Sequence, residues 1–318
     1  MAKDRSSFLI RIALPLAMFA LPIACRAQEK IESKPEKTSI CDVLKDPGAF
    51  NHKLIEVTGF VTRGFEDSIL FDPGCDSRFR IWVDVGGKGG TGVMYCCGFT
   101  PKKLRPEDLV VEGITVPLMV DEPYANFDKA LGPRPYGAMV RARLVGRFFS
   151  GEKTKYPNGK EGWTGFGHMG MASLFAIQQV LSVDVRDQPG LDHSSSVEQP
   201  NRKREGCDNT YRFLYDEVFS ELIDQQNKAE GGERGWALDD PQRVAAEELA
   251  KHTKAFTGKV SELKEVSRTD GRIIYHWRSS ARNGGMFMIV VNRPYWLSFY
   301  AKDPAKTAWV VAAAYSVC

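Results

Sequence analysis

SICDVLKDPGAF (residues 39–50), then LIEVTGFVTR (residues 54–63) and FRIWVDV (residues 79–85), are the stretches that decide the fold. The first predicts a short helix that Ser39 caps and Pro47 ends. The second alternates, with Ile55, Val57 and Val61 on one side, and the third alternates in the same way. With Ser68–Phe71 as a further strand, a capped helix leading into three strands predicts the beginning of a small antiparallel barrel.

Two later segments, Met139–Phe149 and Leu174–Val185, alternate with the same period of two. Their inward-facing residues are expected to be Val140, Ala142, Leu144 and Phe148, and then Phe175, Ile177, Leu181 and Val183. Five short strands with glycine-rich turns predict a five-stranded, partly open barrel. Residues 86–137, rich in Gly and Pro, predict an insertion with a hairpin within Leu109–Val120 and an aromatic-lined loop at Tyr124, Phe127 and Tyr136.

Several short motifs link this segment to a known type of barrel. They are Cys41-Asp42-Val43-Leu44, the stretch from Pro47 to Gly59, Leu70-Phe71-Asp72-Pro73 with Cys75, Ile81-Trp82-Val83 and Gly167-His168-Met169-Gly170. On these residues the chain resembles an OB-fold domain and, more narrowly, the barrel of uncharacterised exported bacterial proteins. The resemblance covers about residues 39–187 and implies no reaction. The helix that such barrels place between strands three and four is not expected, because the insertion takes its position.

The first 27 residues predict a signal peptide. Basic residues precede the apolar run Ile12–Ala24, which is too short to cross a bilayer as a helix, and Cys25-Arg26-Ala27 offers small residues for cleavage. We therefore expect an exported protein, periplasmic or secreted, with no transmembrane span after cleavage. An uncleaved anchor helix and a lipoprotein acylated at Cys25 are the alternatives.

The bulk charge indicates which partners to expect. The chain has 43 Lys and Arg and 40 Asp and Glu residues, and cleavage after residue 27 would remove four basic residues and one acidic, leaving 39 of each. Residues 28–198 hold 21 basic and 23 acidic residues. A groove for nucleic acid normally has a basic field. The expected partner is therefore an envelope glycan or protein rather than nucleic acid.

Export also determines how the cysteines are interpreted. Without Cys25 six remain, and an even number in an oxidising compartment favours disulfides. Cys41 lies in the opening helix and Cys75 in the turn after the second strand, which predicts one bridge. Cys207 and Cys318 flank the C-terminal part and predict a second bridge that ties its two ends.

A polar segment divides the chain. Residues 188–204 are interpreted as a linker between the barrel domain, residues 39–187, and a second domain, residues 205–318. In that domain one helix is expected through Tyr211, Leu214, Val218 and Leu222, and another from Asp240-Pro241 to near Gly258. Five strand-like segments follow: Val260–Ser267, Arg272–Arg278, Met286–Val291, Tyr295–Tyr300 and Trp309–Val317. The second domain is therefore expected to be α+β, with two helices and an antiparallel sheet, and to fold independently.

The candidate ligand surface lies on the barrel exterior. Arg80 and Trp82 on the third strand, and Arg141 and Arg143 on the fourth, are expected to point away from the core. OB-like barrels bind ligands on such faces by stacking on aromatic rings and pairing with cations. His168 lies between glycines that permit close backbone approach, which indicates a position at the barrel rim beside a ligand. A solvated exterior, and a turn histidine bonded to a backbone carbonyl, are the alternatives.

The sequence contains no signature of a particular reaction. It has neither HExxH nor Gly-x-Ser-x-Gly, and the adjacent pair Cys96-Cys97 has no nearby histidine to complete a zinc site. We therefore expect a non-catalytic binding or interaction protein without a cofactor or metal. The alternative is an envelope hydrolase whose site lies between the two domains and uses His168.

Overall fold

The helix that the sequence indicates after Ser39 is present in the structure. The computed structural model describes residues 34–63, 68–75, 81–88, 105–132, 139–155, 159, 161–184, 212–213, 219–269, 271–280 and 285–317. Helix α1 (Ile40–Lys45) follows Ser39, whose hydroxyl accepts a hydrogen bond from the Asp42 backbone N–H. A 3-10 helix, Pro47–Phe50, comes directly after it. Capping and the proline therefore fix both ends of α1, as predicted.

The remaining helices are α2 (Glu122–Leu131), α3 (Phe219–Glu230) and α4 (Pro241–His252). The strands are β1 (Glu36–Lys37), β2 (Leu54–Arg63), β3 (Ser68–Phe71), β4 (Ile81–Val85), β5 (Leu109–Val111), β6 (Ile114–Val116), β7 (Val140–Phe149), β8 (Glu152–Lys155), β9 (Glu161–Thr164), β10 (Ser173–Asp184), β11 (Arg212–Phe213), β12 (Lys264–Thr269), β13 (Arg272–Arg278), β14 (Met286–Asn292) and β15 (Val310–Val317).

Strands β2, β3, β4, β10 and β7 are hydrogen-bonded in that order, and β7 pairs back onto β2. The pairing between β4 and β10 is parallel, and the other four are antiparallel. The barrel is thus closed and mixed, where the sequence predicted a partly open antiparallel one. Closure leaves no exposed edge among these five strands. The architecture is that of an OB-like barrel, as predicted.

The interior of the barrel confirms most of the predicted inward faces. Ile55, Val57 and Val61 of β2 share one buried cluster with the four predicted residues of β7. On β10 the prediction holds at Phe175, Ile177 and Val183 and fails at Leu181, because two register shifts interrupt the alternation between Ile177 and Ser182. Val180 is fully buried there, and Leu181 lies partly exposed. Each bulge adds a residue and so moves the inward face by one position.

The insertion contains one predicted element and one that was missed. Strands β5 and β6 form the expected hairpin. The aromatic-lined loop was wrong, because residues 122–131 form helix α2. Asp121 caps this helix by accepting a hydrogen bond from the Tyr124 backbone N–H, and Phe127 and Leu131 are buried in the barrel core. The barrel therefore has a helix between its third and fourth strands after all.

The C-terminal part is α+β, as predicted. Its antiparallel sheet has the order β11-β15-β14-β13-β12, and α4 packs on it through Val244, Ala245 and Leu249. Two predictions were wrong in detail. Residues 212–213 form a strand where a helix was expected, and residues 295–299 form a 3-10 helix where a strand was expected.

One hydrophobic cluster contains residues of both the barrel and the C-terminal part. Phe60, Phe71 and Trp82 of the barrel belong to it together with Leu222 and Trp296. Apolar residues that pack in one cluster stabilise both of the segments that supply them. The division into two independently folding domains stays a prediction, and this cluster is a physical reason to expect coupled unfolding.

Several sequence predictions fall outside the described residues. These are the signal peptide with Cys25, Arg80, Cys96-Cys97, the linker at 188–204, and the bridge between Cys207 and Cys318. The bridge between Cys41 and Cys75 is confirmed, with the two Cα atoms 5.2 Å apart. Among the helices that the structure describes, none is both long enough and apolar enough to cross a membrane.

Candidate functional site

Trp82 is the central residue of the predicted ligand surface, and the structure buries it. It points away from the barrel interior, as expected, because its neighbours Ile81 and Val83 belong to the inner cluster. Its side chain is nevertheless only 4% exposed. The alternation along the strand was therefore predicted correctly, but the outer side of this strand is covered rather than open to solvent.

A short aromatic stretch of the C-terminal part lies on this outer face. We call residues 295–300 the aromatic segment. The Phe299 ring lies 5.3 Å from that of Phe60 on β2, and the Trp296 ring lies 4.8 Å from that of Phe219. Phe219 in turn stacks on Phe71 of β3 at 5.6 Å. The chain's own aromatic rings thus occupy part of the face on which an OB-like barrel would stack a ligand.

Two tyrosines of the aromatic segment also make polar contacts with the barrel. The Tyr300 hydroxyl donates to the Asp72 carboxylate and accepts the Gly74 backbone N–H at 3.1 Å. Burial, together with the Asp72 carboxylate, raises the pKa of Tyr300. The Tyr295 hydroxyl donates to the Asp184 carbonyl at 2.6 Å. Directional bonds at both ends of the segment fix its register on the barrel.

The predicted arginines are engaged with acidic and aromatic neighbours. Arg141 forms an ion pair with Asp184 at 3.2 Å, and its guanidinium lies 4.9 Å from the centre of the Phe299 ring. Arg143 is half exposed, and its Nε lies 3.8 Å from the Glu56 carboxylate. Arg141 therefore anchors the aromatic segment by a cation–π contact.

His168 lies far from these arginines. It is exposed and begins the 3-10 helix His168–Gly170, which precedes β10. Arg141 pairs with the last residue of β10, whereas the first residues of β10 pair with the other end of β7. Eight residues of an extended strand separate these ends by roughly 27 Å. The structure therefore does not unite Arg141 and His168 in one site, and a ligand or hydrolase role for His168 stays a prediction.

The glycine before His168 makes the close approach that the sequence indicated, but toward a tryptophan of the chain itself. Gly167 has a φ of 74°, and a Cβ added to it would lie 2.6 Å from Cε3 of Trp82. A residue with a side chain would be strained there and would also collide with the indole. The loop that carries His168 thus helps to cover Trp82.

The connection between β7 and β10 contributes to an open cleft that the sequence analysis did not identify. We call it the Trp163 cleft. Its volume is about 240 Å³, and it lies between the end of α1, the β8–β9 hairpin and the start of β10. The lining residues used below are Lys45, Pro47, Lys153, Glu161, Trp163 and Met171.

Trp163 provides a flat apolar surface inside this cleft. Its ring packs on the backbone of Gly48, where an added Cβ would lie 3.0 Å from Cη2 of the indole. Lys153 and Glu161 form an ion pair at 2.6 Å, and Met171 is 56% exposed. An aromatic surface with charged groups beside it binds polar ligands that also have an apolar face. Trp163, in a sequence segment (residues 152–164) composed mostly of polar residues and glycine, was the sequence signal for this site.

A second cleft lies between α2 and the end of β10. It is larger, about 630 Å³, and its lining includes Glu122, Asn126, Lys129 and Val183. None of the lining residues that the structure describes is aromatic. The described part of this lining therefore has no flat aromatic surface like that of Trp163.

Two ion pairs near α2, each with one buried member, have a structural role. Asp84 is almost fully buried and pairs with Arg105, which also donates to the Val85 carbonyl at 2.7 Å. Burial raises the pKa of Asp84, and Arg105 opposes that shift. Arg63 pairs with Asp128 of α2 at 3.4 Å, and burial lowers the pKa of this arginine. These pairs attach the insertion to the barrel.

A His–Glu pair attaches the tip of the β5–β6 hairpin. His52 Nε2 lies 2.5 Å from the Glu112 carboxylate, and both side chains are partly exposed. The backbone is left-handed at both residues, with φ of 61° at His52 and 49° at Glu112. Such a conformation costs about 1 to 2 kcal/mol for residues other than glycine. The contact between His52 and Glu112 is favourable and offsets part of the backbone strain at Glu112.

Within the part of the chain that the structure describes, no group of three or more His, Cys, Asp or Glu side chains is arranged to hold a metal ion. No model of a known protein family matches the chain, and neither does any curated protein.

Proposed function

We propose that this chain is an exported, non-catalytic binding protein that holds part of an envelope glycan or protein in the Trp163 cleft. One observation carries the proposal. The chain's own aromatic segment packs in one hydrophobic cluster with Phe60, Phe71 and Trp82 of the barrel, whereas the cleft beside the β8–β9 hairpin is open and contains a half-buried indole.

The position of the cleft in the barrel supports this choice. OB-like barrels bind oligonucleotides and oligosaccharides with the face of their second and third strands and with the loops before the second and the fifth strand. Here the second and third strands are β3 and β4, and the connection before the fifth strand contains Trp163. The strand face is therefore part of the usual binding surface, and the Trp163 cleft belongs to one of the loops that contribute to that surface.

The proposed location has independent support. The disulfide between Cys41 and Cys75 is the kind of bond that persists in oxidising compartments. The basic residues and the short apolar run of residues 1–27 have the pattern of an export signal. We further propose that the barrel belongs with those of exported bacterial proteins.

A capture experiment tests the proposal. The exported protein is immobilised as wild type, as Trp163→Ala and as Trp236→Ala, and each is exposed to the same bacterial envelope extract. Trp236 is a matched control because it is also partly buried and lies in the C-terminal part, packed against Arg234 and Arg243. We expect the wild type and Trp236→Ala to retain the same glycan or protein, and Trp163→Ala to lose it. Retention by all three variants would refute the assignment to this cleft.

A further inference from the structure

We infer that the Trp163 cleft takes one uncharged, N-acetylated sugar ring of a longer glycan. This inference rests on the proposed function and specifies its ligand. The volume of the cleft is the first argument. Sites that enclose a drug-sized ligand have volumes of about 300–1,000 Å³. At about 240 Å³ the cleft accommodates a single ring, while the rest of the glycan stays in solvent.

The shape of the apolar surface favours a sugar ring. One part of the Trp163 ring packs on Gly48, so the indole is held in place before a ligand arrives. A preorganised aromatic ring loses little conformational freedom on binding. The C–H face of a pyranose is flat and apolar, whereas its hydroxyls are directed outward to the edge, where charged side chains lie.

The charges that the described residues place around the cleft are balanced. Lys45 and Lys153 are positive, and Glu161 and the neighbouring Asp46 are negative. Lys153 is paired with Glu161, and its pKa is raised chiefly by the hydrogen bond to that carboxylate, with a smaller contribution from Asp46. A site without net charge offers no advantage to an anionic ring. Ammonium and carboxylate groups together can donate to and accept from sugar hydroxyls.

Met171 adds the preference for an acetamido group. Its side chain lines the cleft and is 56% exposed, so it is accessible to a ligand there. A thioether chain is flexible and adapts to small apolar groups. The methyl of an N-acetyl substituent is such a group, and a plain hexose lacks it.

A peptide strand is the less suitable occupant. Strands β8 and β9 form a two-stranded sheet to which a peptide strand could be added. Their exposed side chains include Glu152, Lys153, Lys155 and Glu161. Charged residues on a short edge strand oppose the addition of another strand.

The test uses the full exported protein labelled with 5-fluorotryptophan, whose six tryptophan signals are resolved by ¹⁹F NMR. The Trp163 signal is assigned with Trp163→Phe. The probes are the trimer of N-acetylglucosamine, maltotriose, and a glucuronic-acid trisaccharide. We expect the N-acetylated trimer to shift the Trp163 signal with a millimolar Kd, since one ring supplies few contacting atoms. Maltotriose should bind at least threefold more weakly, and the acidic trisaccharide should not bind better than maltotriose.

The variant Met171→Ala separates the acetamido contact from an effect on folding, because this side chain is largely exposed. It should weaken binding of the N-acetylated trimer severalfold and leave maltotriose binding unchanged. Equal binding of both neutral trimers by the wild type, tighter binding of the acidic trisaccharide, or no shift at Trp163 would overturn the inference. If the cleft captures an envelope protein that Trp163→Ala loses, while no sugar shifts the signal, the proposed function stands and the sugar inference fails.

Discussion

Removing the Tyr300 hydroxyl tests whether the aromatic segment is bound to the barrel in the way the contacts indicate. In Tyr300→Phe the Asp72 carboxylate loses its phenolic donor, while the Gly74 N–H keeps its 2.8 Å bond to Asp72. The main loss is therefore one hydrogen bond to a charged group, which is worth about 1.5 to 3 kcal/mol. We expect urea denaturation, followed by tryptophan fluorescence and far-UV circular dichroism, to show a loss of that size in the free energy of unfolding.

A double-mutant cycle with Asp72→Asn identifies the contact responsible. The coupling energy between the two substitutions should be about 1 to 2 kcal/mol, within the range for residues in direct contact. Tyr124→Phe is the control, because no residue that the structure describes bonds to the Tyr124 hydroxyl, and this change should cost less than about 0.5 kcal/mol. A loss of stability in Tyr300→Phe no larger than in this control would contradict the proposed bond. Unfolding in two transitions, only one of which responds to the substitution, would also contradict it.

Three further changes address other parts of the fold. Replacing Cys41 and Cys75 by Ser should destabilise the protein by about 4 kcal/mol, since the bridge closes a loop with a sequence separation of 34. Urea denaturation measures this loss, and a change in the free energy of unfolding of under about 1 kcal/mol would contradict the prediction. Gly167→Ala should cost about 2 to 4 kcal/mol, from backbone strain and collision with an indole. Gly258 also has a positive φ, but an added Cβ would meet open space there, so Gly258→Ala should show the cost of backbone strain alone. Equal losses of stability in Gly167→Ala and Gly258→Ala would contradict the collision with the indole. Burial raises the pKa of Tyr275 to about 12, against about 10 in an unfolded chain. The folded state then binds more protons between these values, so stability should fall as pH rises from 10 to 12. Tyr275→Phe should lessen that fall, and an unchanged pH profile would refute the assignment.

Local patterns predicted the barrel strands because burial on one side of a sheet leaves a period of two in the sequence. That signal held for β2, β4 and β7 and failed only in the middle of β10, where bulges put Val180 rather than Leu181 in the interior. Helix α2 was missed although its signals were present. Asp121 caps it, Pro123 lies in its first turn, and Phe127 and Leu131 share a face. The aromatic and proline content of the segment was interpreted as a loop instead.

The covering of Trp82 was not predictable from local pattern. The alternation of apolar residues along β4 indicates that the Trp82 side chain points away from the barrel interior. It does not indicate whether solvent or another segment of the chain lies on that outer side. Part of the cover is the loop at Gly167, and the cluster around Trp82 also includes residues about 210 positions later in the chain, in a stretch, 295–300, that was predicted to be a strand. Long-range packing of this kind has no periodic signal, and tertiary contacts override local propensity. The Trp163 cleft was missed for the same reason, since α1 and the β8–β9 hairpin meet only in the folded chain.

The central claim is that the barrel's strand face is covered by the chain itself while the Trp163 cleft is open. Hydroxyl-radical footprinting of the full exported protein, with oxidation of each tryptophan measured by mass spectrometry, tests it directly. Trp163 should be oxidised readily and should be protected by bound N-acetylated trimer. Trp82 and Trp296, at 4% and 3% exposure, should resist oxidation with or without the trimer. Rapid oxidation of Trp82, or protection of Trp82 rather than Trp163, would contradict the claim.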